Sequence, residues 1–502
     1  MPENLNDRNS PVEMKGEDFR KAGYKVVDKI ADFLDTLPDK PVSPGKTVGE
    51  IKQILGNNKL PLNGISAEKI LEEAADLLFN YTTFNGHPKF WGYITSSATP
   101  IGSLADMLAS SANPNVGAWG ISPIATEIES QTIRWIAEMI GYPQDCGGLM
   151  VSGGNMANFV GFLAAHRAKV NWDVRKEGIQ GNDNKKLIVY ASTETHTWIH
   201  KAADLFGLGT DAIHWISIDD DQRMNITKLE KQIKEDIENG YSPFMVVGTA
   251  GSVALGVVDP LHDIYEICKE FDLWFHIDGA YGAFAAALPD PPDDLHSLRL
   301  ANSIALDPHK WLYSPLEAGC IIVKNPENLI DTFSYHPPYY RFEEDDKDAI
   351  NYYEYGFQNS RGFRALKVWL GLRQAGKDGY VQMISDDIKL AKHLYNLTDS
   401  ETELQAFTNN LSVTTFRYVP TDLQRTNKNV EEYLNELNQE LLDRLQNSGE
   451  AYLSNAIIND KFLLRACVVN FRTKISDIEA LPEIVIRIGK EIDSVNRPKE
   501  LK

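Results

Sequence analysis

Cysteine is scarce in this 502-residue chain: Cys146, Cys268, Cys320 and Cys467 lie far apart, and none belongs to a CxxC pair. That spacing argues against a disulfide framework. Cys268, Cys320 and Cys467 sit in apolar segments, where a buried reduced thiol is expected. Long hydrophobic runs are missing too, so no membrane partner is expected. The polar start, Met1 to Asn9, lacks a signal-peptide core, which makes the cytoplasm the expected location. Basic residues are outnumbered, 50 Lys and Arg against 71 Asp and Glu, giving a net charge of -21. This deficit argues against sequence-independent nucleic-acid binding and against docking on anionic lipid. No HExxH occurs, and His276 and His309 belong to separate strands, so no metal site is expected.

The chain is too long for one simple core, and two or three domains are expected. Its 43% hydrophobic and 24% charged residues are ordinary for a globular protein. From Glu17 to Leu37 apolar residues recur at helical spacing until Pro38 stops them. More helical pattern follows at 47–55, and Ser66 is placed to cap a helix reaching about Tyr81. Residues 1–85 thus read as a helical arm with more apolar stripe than it can bury alone, which predicts a homodimer. Beyond residue 86 strands alternate with helices, the mark of a mostly parallel sheet. The expected strands are Leu149–Ser152, Leu187–Ala191, Ile213–Ile218, Phe244–Thr249, Trp274–Asp278, Ser303–Leu306 and Cys320–Val323. Helices are expected at Met156–Arg167, Leu261–Glu270 and Phe363–Gln374, with an exposed charged loop at Arg341–Asp348. This large α/β domain spans 86–375. A small α+β domain, 376–502, carries a strand at Phe462–Phe471.

Two strands end on a bare charge. The run Trp274–Asp278 stops at an aspartate, and Ser303–Leu306 runs into Asp307-Pro308-His309-Lys310-Trp311. A buried strand rarely ends on an unpaired ion without a chemical reason, because desolvating that ion is costly. Read alone, Lys310 could be a surface lysine and Asp278 a helix cap. Together, 32 positions apart, they fit neighbouring strands joined by one crossover, whose C-terminal ends bind ligands in α/β sheets. A desolvated lysine amine is a nucleophile suited to imine formation, and a carboxylate can keep a pyridine nitrogen protonated. These are the needs of a pyridoxal 5'-phosphate site. The glycine turn Ser152-Gly153-Gly154-Asn155, opening a helix, suits a phosphate. It is not GxGxxG, and no GxxxxGK[ST] occurs, which disfavours dinucleotide and P-loop sites. Past the strand 187–191, His196 is placed to stack on a flat ring. The aromatic run Phe333–Tyr340 reads either as a plug beneath a loop or as a lid supplying a phenolic proton.

In this order, these motifs resemble the group II pyridoxal-phosphate-dependent decarboxylases, which act on aromatic amino acids, tryptophan, tyrosine or glutamate. Phe90-Trp91-Gly92-Tyr93, Ser122-Pro123 with Glu127, and Arg361-Gly362-Phe363-Arg364 add to the likeness. It implies a fold-type I architecture, like that of aspartate aminotransferase: a seven-stranded large domain, a small C-terminal domain and a homodimer with shared active sites. By position, Lys310 would hold the cofactor, Asp278 would bind the ring nitrogen with Ala280 beside the ring, and His196 would stack on the ring face. Gly154 and Asn155 would cradle the phosphate with help from His309. Tyr339 would protonate the substrate's Cα. Tyr93 and Ser96 would line the substrate pocket, and Asn115–Trp119 would reach in from the neighbouring subunit. Three positions depart from the pattern. Asp307 stands where aromatic-amino-acid members often carry Asn near the phosphate. Ala250 replaces a cofactor-contacting Thr, a duty that would pass to Thr249. Gly117 replaces a bulky aromatic, implying a differently shaped pocket.

The reaction so implied is decarboxylation of an L-amino acid to its amine. Trp91, Tyr93, Ile94 and Trp119 would form an aromatic wall favouring an aromatic substrate. An acidic-amino-acid decarboxylase or an aminotransferase on the same fold are the alternatives within enzymes. A catalytically dead binding protein is the alternative outside them, and the retained Lys310, Asp278 and His196 argue against it.

Overall fold

The computed structural model describes residues 10–179, 185–335, 349–423 and 429–501. Its centre is a sheet of seven strands: β1 (Gly147–Val151), β2 (Leu187–Ser192), β3 (Ile213–Ile216), β4 (Ser242–Thr249), β5 (Trp274–Asp278), β6 (Ser303–Leu306) and β7 (Gly319–Val323). They lie in the order β1-β7-β6-β5-β4-β2-β3. The five from β3 to β6 run parallel, while β7 is antiparallel to both β6 and β1. Every residue of β1, β2, β5, β6 and β7 is buried. Helices cover both faces of such a sheet, which is why its strands read as continuous apolar runs rather than alternating ones. The third strand ends at Ile216, short of the expected Ile218, because Ile218 turns away to bridge Met224.

Adjacency of β5 and β6 has the consequence that matters for chemistry. Their register pairs Asp278 with Ala305, so the turn after Leu306 emerges beside Asp278. Helices Gly154–Lys169 and Leu261–Glu270 pack on the sheet, close to where helical spacing placed them. The helix expected at Phe363–Gln374 starts at Ala365 and continues to Ser400, interrupted only at Gly376, where φ is 68° and ψ 169°.

A second sheet contains β8 (Leu404–Asn410), β9 (Val413–Tyr418), β10 (Ser454–Ile458) and β11 (Lys461–Cys467), in the antiparallel order β10-β11-β9-β8. Only β11 was expected, and its range needs correction from Phe462–Phe471. Past Cys467 the chain is claimed by residues 87–91: Asn470 Nδ2 donates to the His87 carbonyl (2.7 Å) and Thr473 Oγ1 to that of Pro88 (2.7 Å). A separate core forms around this sheet, including Leu437, Leu441, Val485 and Ile488.

The N-terminal helices are Gly16–Thr36, Val48–Leu55 and Ala67–Tyr81. Thr47 and Glu50 form a reciprocal cap for the second. Ser66, by contrast, caps the third with its backbone carbonyl, which accepts from Ile70 N–H (3.1 Å), and its hydroxyl makes no cap bond. The first and third helices join through stacked Phe33 and Phe79 (centroids 4.4 Å apart), yet Phe19, Tyr24 and Leu78 stay exposed. Among the described residues no helix is long and apolar enough to cross a membrane.

Candidate active site

A cavity of about 360 Å³ opens at the C-terminal edge of the parallel strands, and Gly154, Asn155, His196, Thr249, Asp278, Ala280 and Lys310 all line it. The sequence expectations for these seven therefore meet in one place.

Asp278, the last residue of β5, is nearly buried, and its carboxylate is held from two sides. Oδ2 accepts from Trp198 Nε1 (2.8 Å) and Oδ1 from the Ala280 N–H (3.3 Å). Behind it His276 is fully buried, and burial pushes its pKa down to about 4, so the ring is neutral. Nε2 of His276 donates to Asn158 Oδ1 and Nδ1 accepts from Ser303 Oγ, each at 2.7 Å. Ser303 Oγ in turn accepts from Trp274 Nε1 (2.8 Å). This buried chain of hydrogen bonds from Trp274 through Ser303 and His276 to Asn158 fixes the floor of the site.

His196 follows β2 in the turn that opens the helix Trp198–Leu205. Its Nδ1 accepts from the Trp198 N–H (3.3 Å), which leaves the proton on Nε2. Burial lowers its pKa, with the nearby Asp278 carboxylate opposing. Thr249 ends β4, and its N–H donates to Asp259 Oδ2 (2.9 Å), a carboxylate that also accepts from Met224 N–H.

Lys310 closes a tight turn in which its own N–H donates to the Asp307 carbonyl (2.8 Å). Its Nζ lies 3.1 Å from Asp307 Oδ2, and the side chain is mostly enclosed. The turn is braced from behind by Asp387, whose Oδ2 accepts from Trp311 Nε1 (3.0 Å) and Tyr313 OH (2.7 Å). Burial raises the pKa of Asp387 to about 7. Trp311 also stacks on Tyr281 at 4.6 Å.

The glycine turn opens the 16-residue helix Gly154–Lys169, whose first N–H groups face the cavity mouth. A Cβ on Gly154 would come 2.8 Å from Asp307 Oδ2 and 3.3 Å from Ala280 Cβ, so only glycine keeps that cradle open. Beneath it Glu129 and Arg361 form an ion pair with both side chains essentially buried. Glu129 Oε1 accepts from the Met150 N–H (2.8 Å), and Arg361 donates to the carbonyls of Met150 (2.7 Å) and Val116 (2.8 Å).

Other expected site residues lie elsewhere. His309 sits behind the glycine turn, its Nδ1 accepting from the Ala318 N–H (3.3 Å), and Ser96 Oγ donates to its carbonyl (2.6 Å). Both line an adjoining cavity of about 290 Å³. Tyr93 is 57% exposed and leans over Tyr452, outside the cavity. Trp119 is held by Asn351 Oδ1 and Glu127 Oε1 and does not reach this chain's own cavity. Trp91 requires correction: it belongs to the second core, buried, with Nε1 donating to Thr473 Oγ1 (3.1 Å), and forms no part of a substrate wall. Gly117 has a packing reason, since a Cβ there would fall 2.2 Å from the Asn359 carbonyl oxygen. Tyr339 and the loop 341–348 lie outside the described residues. Trp198 and Asp387 were not anticipated. The only hint of Trp198 was its place two residues after His196.

The residues present fit pyridoxal 5'-phosphate: an anchored carboxylate, a lysine amine and a glycine cradle at a helix N-terminus surround one cavity. Fold and site together define a fold-type I pyridoxal-phosphate enzyme. The chain belongs to the pyridoxal-dependent decarboxylases, because the pyridoxal-dependent decarboxylase conserved domain matches residues 49–419. It is 33% identical over 492 residues to an aromatic-L-amino-acid decarboxylase of Bacillus atrophaeus, covering 97% of this chain and 98% of the relative. Oryza sativa TDC, solved with PLP and tryptamine, superposes with a TM-score of 0.88 at 25% identity, covering 97% of this chain and all of that one. Rhodiola rosea 4-hydroxyphenylacetaldehyde synthase gives 0.85 at 27% identity, with 96% and 100% covered. This chain is a pyridoxal-phosphate-dependent amino-acid decarboxylase.

Proposed function

We propose that this decarboxylase acts on an aromatic L-amino acid, releasing the corresponding amine and carbon dioxide. The observation that carries the choice is the charge of the cavity wall. Asp278, Asp307 and Glu317 line it, and among the described residues Lys310 is the one lysine or arginine that does. A glutamate or aspartate side chain would bring a further negative charge with no cation to meet it, whereas a neutral aromatic side chain meets Ile94 and Val253. The names of the aromatic-amino-acid relative and of the TDC complex with tryptamine support the same reading.

When bound, pyridoxal phosphate supplies an electron sink for the pair left behind as the Cα–carboxylate bond breaks. Asp278, held by Trp198 and Ala280, keeps a negative charge where the ring nitrogen needs its proton. His196, with its ring orientation set by the Trp198 N–H, would stack on the cofactor and offer Nε2–H to the substrate carboxylate. Lys310 would provide the amine that holds the cofactor. Gly154 and Asn155 would hold the phosphate at the helix N-terminus. Tyr339 hands its phenolic proton to Cα, so the product is the amine rather than an aldehyde.

The working unit in this reading is a cytoplasmic homodimer, with Asn115–Trp119 completing the partner's site. Its support is apolar surface left uncovered on one chain: Leu60 and Leu62 are 90% and 100% exposed. A groove of about 740 Å³ among Phe19, Val27, Ile30, Leu104 and Met107 adds to that surface. The three proposed parts are 1–85, 86–375 and 376–502, the last division falling at the Gly376 interruption. Assaying L-tryptophan, L-tyrosine, L-phenylalanine and L-glutamate for carbon dioxide and amine tests the function. Turnover of an aromatic acid over glutamate is expected, and preferential glutamate turnover would overturn the reading.

A further inference from the structure

Asp307 is an acid placed against a phosphate cradle, with half of its carboxylate unsatisfied. It is 3% exposed, and its Oδ1 is buried with no hydrogen-bond partner. Its Oδ2 carries both neighbours, Lys310 Nζ at 3.1 Å and His309 Nε2 at 3.5 Å. Oδ2 lies 2.8 Å from a hypothetical Cβ on Gly154 and Oδ1 lies 3.9 Å from one on Gly153, so both carboxylate oxygens are on the wall of the cradle itself. Two independent features therefore point to a ligand here: a helix N-terminus that attracts an anion, and a buried acceptor that needs a donor.

The groups around Asp307 cannot neutralise both it and a phosphate. Burial keeps His309 largely neutral, and its Nδ1 is committed to the Ala318 N–H, so it offers one N–H and no charge. From β7 the facing titratable group is the buried Cys320 thiol, held protonated by burial. Across the cavity stand His196, with its pKa lowered by burial, and the Asp278 carboxylate. Glu317 at the mouth is another acid, with Arg364 3.5 Å away. Lys310 is the single cation on the carboxylate, and one ammonium cannot neutralise both Asp307 and a phosphate dianion.

We infer that Asp307 and the cofactor's phosphate share one proton, bridging an otherwise repulsive pair of oxygens and satisfying the orphaned Oδ1. An amide at this position would donate an N–H to a phosphate dianion and need no such proton. Binding to this chain consequently takes up a proton once the free phosphate has lost its second one, above about pH 6. The inference rests on the phosphate lying at the Gly154 turn.

The test uses the cofactor-free full chain, titrated calorimetrically with 4'-deoxypyridoxine 5'-phosphate, which has no aldehyde for Lys310. Buffers of different ionisation enthalpy count the protons, between about pH 6.5 and 8.5, for the natural chain, Asp307→Asn and Gly154→Ala. The natural chain should take up about one proton more than Asp307→Asn, and its Kd should rise about tenfold more steeply per pH unit. Equal proton counts and equal slopes, with binding weakened in Gly154→Ala, would overturn the shared proton while leaving the phosphate site in place. Undiminished binding in Gly154→Ala would remove the phosphate from the turn and the inference with it. Inorganic phosphate, which has no ring nitrogen, is the second probe and needs no variant. Uptake of about one proton per phosphate bound at about pH 8 supports the inference, and none overturns it.

Discussion

Replacing Glu129 by glutamine isolates the electrostatic part of the support beneath the glycine turn. The Glu129 and Arg361 side chains are 0% and 1% exposed, so no solvent screens the pair and none can replace a lost partner. Breaking a buried pair by neutralising one member typically costs about 3–5 kcal/mol, because the remaining charge stays desolvated. Glutamine retains Oε1 as acceptor for the Met150 N–H, so that bond adds nothing to the loss. Arg361 also keeps its bonds to the Val116 and Met150 carbonyls, which places Glu129→Gln near the lower end, about 3 kcal/mol. Glu129→Leu additionally orphans the Met150 N–H and should cost about 1–3 kcal/mol more. Chemical denaturation of the cofactor-free variants measures both. Glu235→Gln, which breaks the exposed pair with Lys231, is the control at about 0.5 kcal/mol or less. A Glu129→Gln cost no larger than the control's would refute the claim that this pair supports the turn.

Two further outcomes follow from the same geometry. Asp387 has a folded-state pKa raised by burial to about 7, above the ordinary 3.8, so the folded chain keeps a proton that the unfolded chain releases. Stability from this group therefore falls as pH rises from about 4 to about 7 and is level above that; denaturation midpoints across pH should show the decline in the natural chain and a flatter profile in Asp387→Asn. In the presence of dioxygen as oxidant and of water, Tyr339→Phe should still bind substrate and release carbon dioxide, but yield aldehyde, ammonia and hydrogen peroxide in place of amine, and unchanged amine output would remove Tyr339 from the mechanism.

The large sheet was legible because strands buried on both faces must be continuously apolar. Trp274–Asp278 and Ser303–Leu306 announce themselves by that run and by the charge that ends it. The small sheet was not, for reasons visible in its strands. β8 is half-exposed, with a register shift between Ala406 and Thr408, and β10 is a sheet edge carrying Ser454 and Asn455. Within the site, Lys310, Asp278 and the glycine turn could be found because each breaks a local pattern. Asp387 could not, because it sits inside a long helix 76 positions from the tryptophan it holds. Glu129 and Arg361 meet across 232 positions, a pairing no local spacing reveals. Trp91 was misplaced because an aromatic beside Tyr93 looks like pocket lining until the chain from 467 to 473 is seen to bury it.

The proposed chemistry requires one lysine amine and one carboxylate to grip the same cofactor ring. Reducing the holoenzyme with borohydride and mapping the modified peptide asks that question directly. The visible absorbance should bleach, with a single pyridoxyl label on Lys310, and Lys310→Ala should purify without the colour. A label on any other lysine, or colour that survives Lys310→Ala, would contradict it.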